Sequence, residues 1–186
     1  MFGKKSAPLP TTQPKSQSAQ LASAGWAMLA LTPDYAVMGH LAPTDTPLVG
    51  FLNNVTQPNI LLTQCQMQAL SGQAMAAEAT PEMLVPKSAL IAIIPRDEAG
   101  LRSAALNLLP HGHHAVIYAG PYLIRATVHL PGELPLRNLY NTISTAMLAV
   151  TEAEIHCQVP GTKFPDLKTA VLVLNKPLVQ LLHPGV

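Results

Sequence analysis

The stretch HGHH at 111–114, followed by His129, holds the residues whose type and spacing come nearest to chemistry. Imidazole is a common ligand for zinc and copper. A hairpin turning at Gly120 and Pro121 sets residue 112 opposite residue 129, which would gather His111, His113 and His129 at one sheet edge. No carboxylate or cysteine stands at a fitting distance in the sequence, and the first half of the chain has no equivalent group. The expectation is therefore no metal and no cofactor, with these three histidines as the candidates and ordinary edge histidines as the competing reading.

Other reactive side chains are poorly placed for catalysis. Cys65 and Cys157 fall on the inward-facing positions of two strands, where a free thiol acts as a small hydrophobe, whereas a nucleophilic cysteine needs access and positive surroundings. The pair could still form one bridge, but two cysteines make neither a disulfide framework nor a metal knuckle. Glu152 and Glu154 stand two apart on a strand, a spacing more typical of a solvated face than of an acid and a base. Ser103 lies in no nucleophile elbow, and no glycine-rich phosphate loop is written. No enzyme is expected.

The elements that carry these residues are read from patterning. In "AVIYA", "GPY" and "LIRATVHL" the chain writes a strand, a tight turn and a second strand, the latter with Ile124, Ala126, Val128 and Leu130 alternating with Arg125, Thr127 and His129. The segment "LPLRNLYNTIS" follows as a helix with Leu136, Leu139, Tyr140 and Ile143 on one stripe. An offset of 88 residues aligns this layout with the first half, where Pro33, Pro43 and Pro47 match Pro121, Pro131 and Pro135. Proline fixes φ, so shared prolines imply shared turns. Leu48, Phe51, Leu52 and Val55 form the matching helical stripe.

Third strands are predicted in "LLTQCQMQA" and "AVTEAEIHC". There Leu61, Thr63, Cys65, Met67 and Ala69 point inward and Gln64, Gln66 and Gln68 outward, matched by Glu152, Glu154 and His156 on the outer face of the second half. These six outward residues are the candidate interaction surface. The apolar runs "SALIAII" and "TAVLVLN" are read as equivalent fourth strands, with the offset falling to 81 so that Lys87 matches Lys168, and with a longer loop around "SGQAMAAEATPE". "PLVQLLH" closes the second half. Around the second strand a one-residue slide is preferred, matching Tyr35 with Tyr122 and leaving His40 outside.

The predicted fold class is α+β, predominantly β: a tandem duplication of a β-β-α-β-β unit packed as a pseudo-twofold dimer. Residues 1–20, rich in Ser, Gln, Pro and Lys, form a disordered arm; 21–96 the first repeat; 97–112 a linker with a short helix; 113–186 the second repeat.

Charged residues make up 11% of the 186-residue chain and hydrophobic ones 48%. Ordinary soluble domains carry roughly 25% charge, so ions cover little of this surface and another protein is expected to cover some of it. Lys4, Lys5 and Lys15 give the first twenty residues a charge of +3, yet no block is basic enough for nucleic acid, and aromatics amount to 4%. The apolar run from Leu21 to Leu31 lacks the charged start of a signal peptide and is shorter than the roughly 20 residues that span a bilayer.

Val128, His129, Leu130 and Pro131, then Asn141, Thr151, Ala153, Asn175 and Lys176 form a series that resembles a small bacterial domain family of uncharacterised function. That family has a VHLP-type turn, a Leu-rich helix ending near Asn and an Asn-Lys hairpin. The resemblance covers 114–182; the first half departs, with "HLAP" at 40–43 and "IIPRD" in place of the hairpin. It implies a bacterial origin and a small β-rich fold, and lends no activity.

The function expected is a non-catalytic structural or adaptor subunit of a larger assembly, with protein partners or further copies of itself and no nucleic acid. Its place is the cytoplasm, or the membrane surface as a peripheral part of a complex. The alternative is a module that holds a small ligand or metal in the cleft between the two repeats.

Overall fold

Short apolar strands separated by tight, proline-marked turns fold here into one continuous antiparallel sheet. The computed structural model describes residues 25–71 and 78–185; the expected arm at 1–20 lies outside them. The first half runs β1 (Trp26–Leu31), β2 (Tyr35–Leu41), α1 (Leu48–Asn53), β3 (Asn59–Ala69), β4 (Glu78–Pro86), a turn of 3-10 helix at Lys87–Ala89, and β5 (Ala92–Pro95). A helix, α2 (Glu98–Ala105), leads into the second half: β6 (His111–Ala119), β7 (Tyr122–Leu130), a 3-10 turn at Leu136–Asn138 running into α3 (Leu139–Thr142), β8 (Met147–Cys157), β9 (Leu167–Asn175), a 3-10 turn at Lys176–Leu178, and β10 (Val179–Pro184). The helices are short because little of each stripe is buried: α1 buries Leu48 and Leu52, while Val55 and Tyr140 stay exposed. The α+β, predominantly β class is as the patterning predicts.

Among the described residues the strand order is β10-β6-β7-β8-β9-β5-β1-β2-β3-β4. Each half is thus a five-stranded meander whose fifth strand folds back beside its first, and the halves join where β9 pairs with β5. Two expectations need correction. Each half has a β-β-α-β-β-β order, because the unpromising "EATPEMLVP" is β4 while "SALIAII" supplies the 3-10 turn and β5. The halves are also not related as a pseudo-twofold dimer, since a twofold would join like edges and here the fourth strand of one half meets the fifth strand of the other.

The lysines show why the offset of 81 fails. Lys87 Nζ donates to the carbonyls of Phe51 (2.8 Å) and Asn54 (3.0 Å) and lies over the Phe51 ring. Lys176 does the same in the second half, donating to Ile143 O and lying over the Tyr140 ring. Lys87 and Lys176 are therefore the equivalent pair, and Lys168 is an exposed residue paired with Glu154.

A bulge sits at the same place in each half. The β2–β3 register slips between Met38 and His40, and the β7–β8 register between Arg125 and Thr127. Opposite the slips, Gln64 and Glu152 each adopt φ of 53°, the left-handed region that non-glycine residues rarely enter. The extra residue reverses side-chain parity along the third strand. Ile60 and Leu62 point inward before it and Cys65 after it, so Leu61, expected inside, is exposed.

Two cores result, one per half. Ile117, Ile124, Val128, Val150, Ile155 and Leu172 centre the core of the second half. Val37, Leu41, Leu48, Leu52, Ile60 and Leu62 centre the other, which is closed on its open side by Met147, Ala149, Val171 and Val173 from the second half. Alternate residues of β5 serve both: Ile93 enters the first-half core, and Ala92 and Ile94 the other. Asp97 starts α2 by accepting from Gly100 N–H (2.7 Å) and also holds Ala27 N–H, while Ser103 Oγ accepts from Leu48 N–H (2.9 Å).

Tyr122 couples the halves by a different contact. Its ring is fully buried beside Phe164, and its hydroxyl donates to Thr32 O at 3.2 Å. Burial, with smaller contributions from Cys157 and Asp34, raises its ionisation well above the ordinary value of 10.0. The folded protein therefore holds this proton where the unfolded chain releases it, so the stability is complete below about pH 10 and falls as pH rises above it. Urea unfolding across alkaline pH is expected to show this decline, and Tyr122→Phe to flatten it; an unchanged slope in the variant would contradict the assignment.

Candidate functional site

The register of β6 on β7 pairs Gly112 with His129 and His113 with Val128. Paired residues in an antiparallel ladder point to the same face, so His129 shares a side with Gly112, and His111 and His113 lie on the other. This parity separates the three candidate metal ligands. His129 is further engaged through both ring nitrogens, Nδ1 with Leu109 O (3.0 Å) and Nε2 with the Thr151 hydroxyl (2.8 Å). With a carbonyl at Nδ1 the imidazole is the Nδ1–H tautomer, and Nε2 accepts from Thr151. Among the described residues no group of three or more His, Cys, Asp or Glu comes together to hold a metal ion.

A polar chain that the sequence did not reveal runs from His114 to Glu152. Thr127 Oγ donates to Glu152 Oε2 at 3.0 Å, which leaves its oxygen to accept from His114 Nδ1 at 3.3 Å. The bulge makes it possible, because the left-handed backbone at Glu152 swings that carboxylate over Thr127. The only signal in the sequence was the pairing of His114 with Thr127 across the hairpin. The chain borders an open basin of about 570 Å³ that also contacts Arg125, Glu154 and His183. Thr127 is buried and its single proton is committed to Glu152, so the hydroxyl acts as a bridge rather than as a nucleophile.

The six candidate interaction residues lie on the outer face. Gln64, Gln66 and Glu152 are exposed and Gln68, Glu154 and His156 are half-buried. In the second half all three are already engaged: Glu152 with the Thr127 hydroxyl, Glu154 with Lys168, and His156 Nδ1 with Asp166 Oδ1 at 3.0 Å. The Lys168 ammonium, by hydrogen bond and by charge, holds the Glu154 carboxyl below its ordinary range.

A groove of about 370 Å³ lies between the halves, lined by residues such as Val49, Asn53, Leu109, His129 and Met147. Two of its polar side chains, Asn53 and His129, are internally satisfied. Asn53 donates to Val49 O (3.0 Å) and Met147 O (2.8 Å) and accepts from Met147 N–H (2.8 Å), clamping α1 to β8. His129 is held as described, so neither of these two side chains is free to bind a ligand entering here.

What stands open is the two ends of the sheet. Among the described residues β4 and β10 each have a neighbour on one side, leaving a row of backbone N–H and C=O groups without strand partners. Beside them Leu61 and Leu84 at one end and Leu181 at the other are exposed.

Both cysteines are free thiols. Cys65 sits in the first-half core and Cys157 packs against the second, too far apart in environment to serve one site. Burial raises the Cys65 thiol above its ordinary range. Thiol labelling of the native protein should modify Cys157 at least about a hundredfold faster than Cys65, because reactivity needs an accessible thiolate; equal rates would show that the first-half core opens readily. Comparison with family models, with curated proteins and with solved structures gave no match.

Proposed function

We propose that the protein is a non-catalytic structural or adaptor subunit that works by adding its sheet edges to a protein partner. The observation that carries this reading is the pair of edge strands, each with one side open among the described residues and flanked by exposed leucines, since an extended partner segment gains main-chain hydrogen bonds from such an edge and specificity from side-chain contacts beside it. Sparse charge supports it, because a surface with 11% charged residues has few ions to keep apolar edges apart from a neighbour. The outer-face residues Gln64, Gln66 and Gln68, without the ion pairs of their counterparts, offer adjacent hydrogen-bonding surface.

Among the described residues no helix is long and apolar enough to cross a membrane. Two free thiols suit a reducing compartment, and a cytoplasmic location is part of the proposal.

The test is affinity capture from native cells with the full chain and with a Leu84→Lys, Leu181→Lys double variant. A partner retained by the wild type and lost by the variant is the expected result. Capture of the same proteins by both would overturn the reading, as would capture of nothing by a wild type that also stays monomeric.

A further inference from the structure

We propose that copies of this chain join head to tail, β10 of one pairing with β4 of the next in the register that β9 and β5 use inside the chain. The inference rests on the subunit reading above and names its partner as a second copy. The sheet already contains one joint of this kind: the fourth strand of one half lies against the fifth strand of the other, with Leu174 opposite Ala92 and Val173 opposite Ile93. Because the two halves share one strand order, the sheet of the described residues ends with an unused fourth-strand edge on β4 and an unused fifth-strand edge on β10.

Residue equivalence follows from the bulges and ladders. The pairs Leu61↔Leu84 on β3–β4 and Ala149↔Val173 on β8–β9 occupy the same places, as do Ile93↔Ala30 on β5–β1 and Leu182↔Ile117 on β10–β6. Carried to the free edges, the internal joint becomes Val85 opposite Leu181 and Leu84 opposite Leu182. Val173 and Ala92, inside the joint, are fully buried, whereas their free-edge counterparts Leu84 and Leu181 are 61% and 65% exposed and yet apolar. Tyr122 shows the same contrast: it is buried against the other half, and Tyr35, its equivalent at the start of β2, is 39% exposed.

The cores give an independent reason. The first-half core is closed by Met147, Ala149, Val171 and Val173 of the second half. The second-half core takes Leu29, Leu31, Ile91 and Ile94 of the first half on its β9 side, but on its β10 side, among the described residues, Leu182, Val179 and Leu178 remain only partly buried. The surface that would cover it on a neighbouring copy includes Leu61 and Leu84, at the positions of Ala149 and Val173. One difference weakens this external joint. Asn175, which clamps the internal one by donating to Lys87 O (3.1 Å) and Leu90 O (2.9 Å), has Pro86 as its counterpart on β4. Proline supplies neither the side-chain amide nor a backbone N–H, so the external joint lacks this clamp, and without a tether its association depends on concentration. Contacts between unlike edges repeat with one rotation, and so close into a ring or continue as a filament.

Light scattering of the full-length chain over a wide concentration range should show masses at whole multiples of one chain. Leu84→Lys and Leu181→Lys, both at exposed sites where folding is checked by circular dichroism, should each weaken self-association by at least about tenfold, because a charge is set against an apolar strand edge. Mixed in equal amounts they should form a pair and stop there, since one variant keeps an intact β10 and the other an intact β4. Pro86→Asn should strengthen association by restoring the clamp. A wild type that stays monomeric, a mixture that does not pair, one variant that still self-associates as strongly as the wild type, or no gain from Pro86→Asn would overturn the proposal. A monomeric wild type whose cellular partner is nonetheless lost with the edge variants would sink this inference and leave the subunit reading standing.

Discussion

Asn175→Ala is expected to destabilise the protein by about 3 kcal/mol, because it leaves the buried Leu90 carbonyl oxygen without a donor, at roughly 1–3 kcal/mol, and removes a bond worth roughly 0.5–1.5 kcal/mol from Lys87 O, which keeps the Leu90 N–H. Asn175 is buried, and its amide donates to Lys87 O at 3.1 Å and Leu90 O at 2.9 Å across the joint between the halves. Its backbone N–H also reaches Ile91 O at 2.9 Å, a bond the substitution leaves in place. The side chain thus does for the 3-10 turn at Lys87–Ala89 what a longer ladder would otherwise do, since β5 and β9 share only a short run of paired residues. For a chain of this size the loss corresponds to a fall in Tm of roughly 6–12 °C. Urea unfolding should give a lower midpoint with an unchanged slope, because the same surface is exposed on unfolding. A loss under about 1 kcal/mol would mean that water replaces the amide at these carbonyls.

Ile93→Ala is expected to cost about 2–5 kcal/mol, and Ile93→Val about 0.5–1.5, the usual spread for cavities in a packed core. Ile93 is fully buried in a strand of four residues, between Ala30 on β1 and Val173 on β9. Its removal opens a cavity at the strand through which the first half pairs with the second, among first-half core residues and Val173 of the second half. Unfolding should remain a single transition, seen alike by fluorescence and circular dichroism, because neither half keeps a closed core without the other. Two transitions, with the second half melting at its original midpoint, would show that the halves are energetically separate and that β5 joins them only in geometry.

Much of this fold was legible locally. The hairpin of β6 and β7 follows from alternation and from a turn at Gly120, whose φ of 56° needs a residue without a side chain at that bend. Setting Tyr35 beside Tyr122 by a one-residue slide agrees with the ladders, which put each at the start of its half's second strand. The fourth strand of the first half was not legible. "EATPEMLVP" carries two glutamates and two prolines because it is an edge strand with one side open, where a missing N–H is tolerated, and it lacks the apolar run of an interior strand. "SALIAII" was apolar enough to pass for the interior counterpart of "TAVLVLN", but it is buried because β9 covers β5. Composition reports whether a strand is covered and not which strand covers it.

The site was less legible still. The three histidines were set at one edge by counting residues to the turn, and strand parity alone then parted them, as a pairing of Gly112 with His129 requires. Leu61 was assigned inward because regular alternation was assumed through Gln64, and a bulge carries no fixed residue type that would announce it.

The amino-acid order by itself determined the β-rich class, the turns, the sparse charge and the recurrence of one layout in both halves, since each depends on propensity and period within a few residues. Only the tertiary structure decided that the fourth strand of one half lies on the fifth strand of the other, and that β4 and β10 each keep one edge without a strand partner among the described residues. Strand pairing is a contact between residues far apart in the chain, made by backbone groups that every residue carries alike, so no local pattern can specify it.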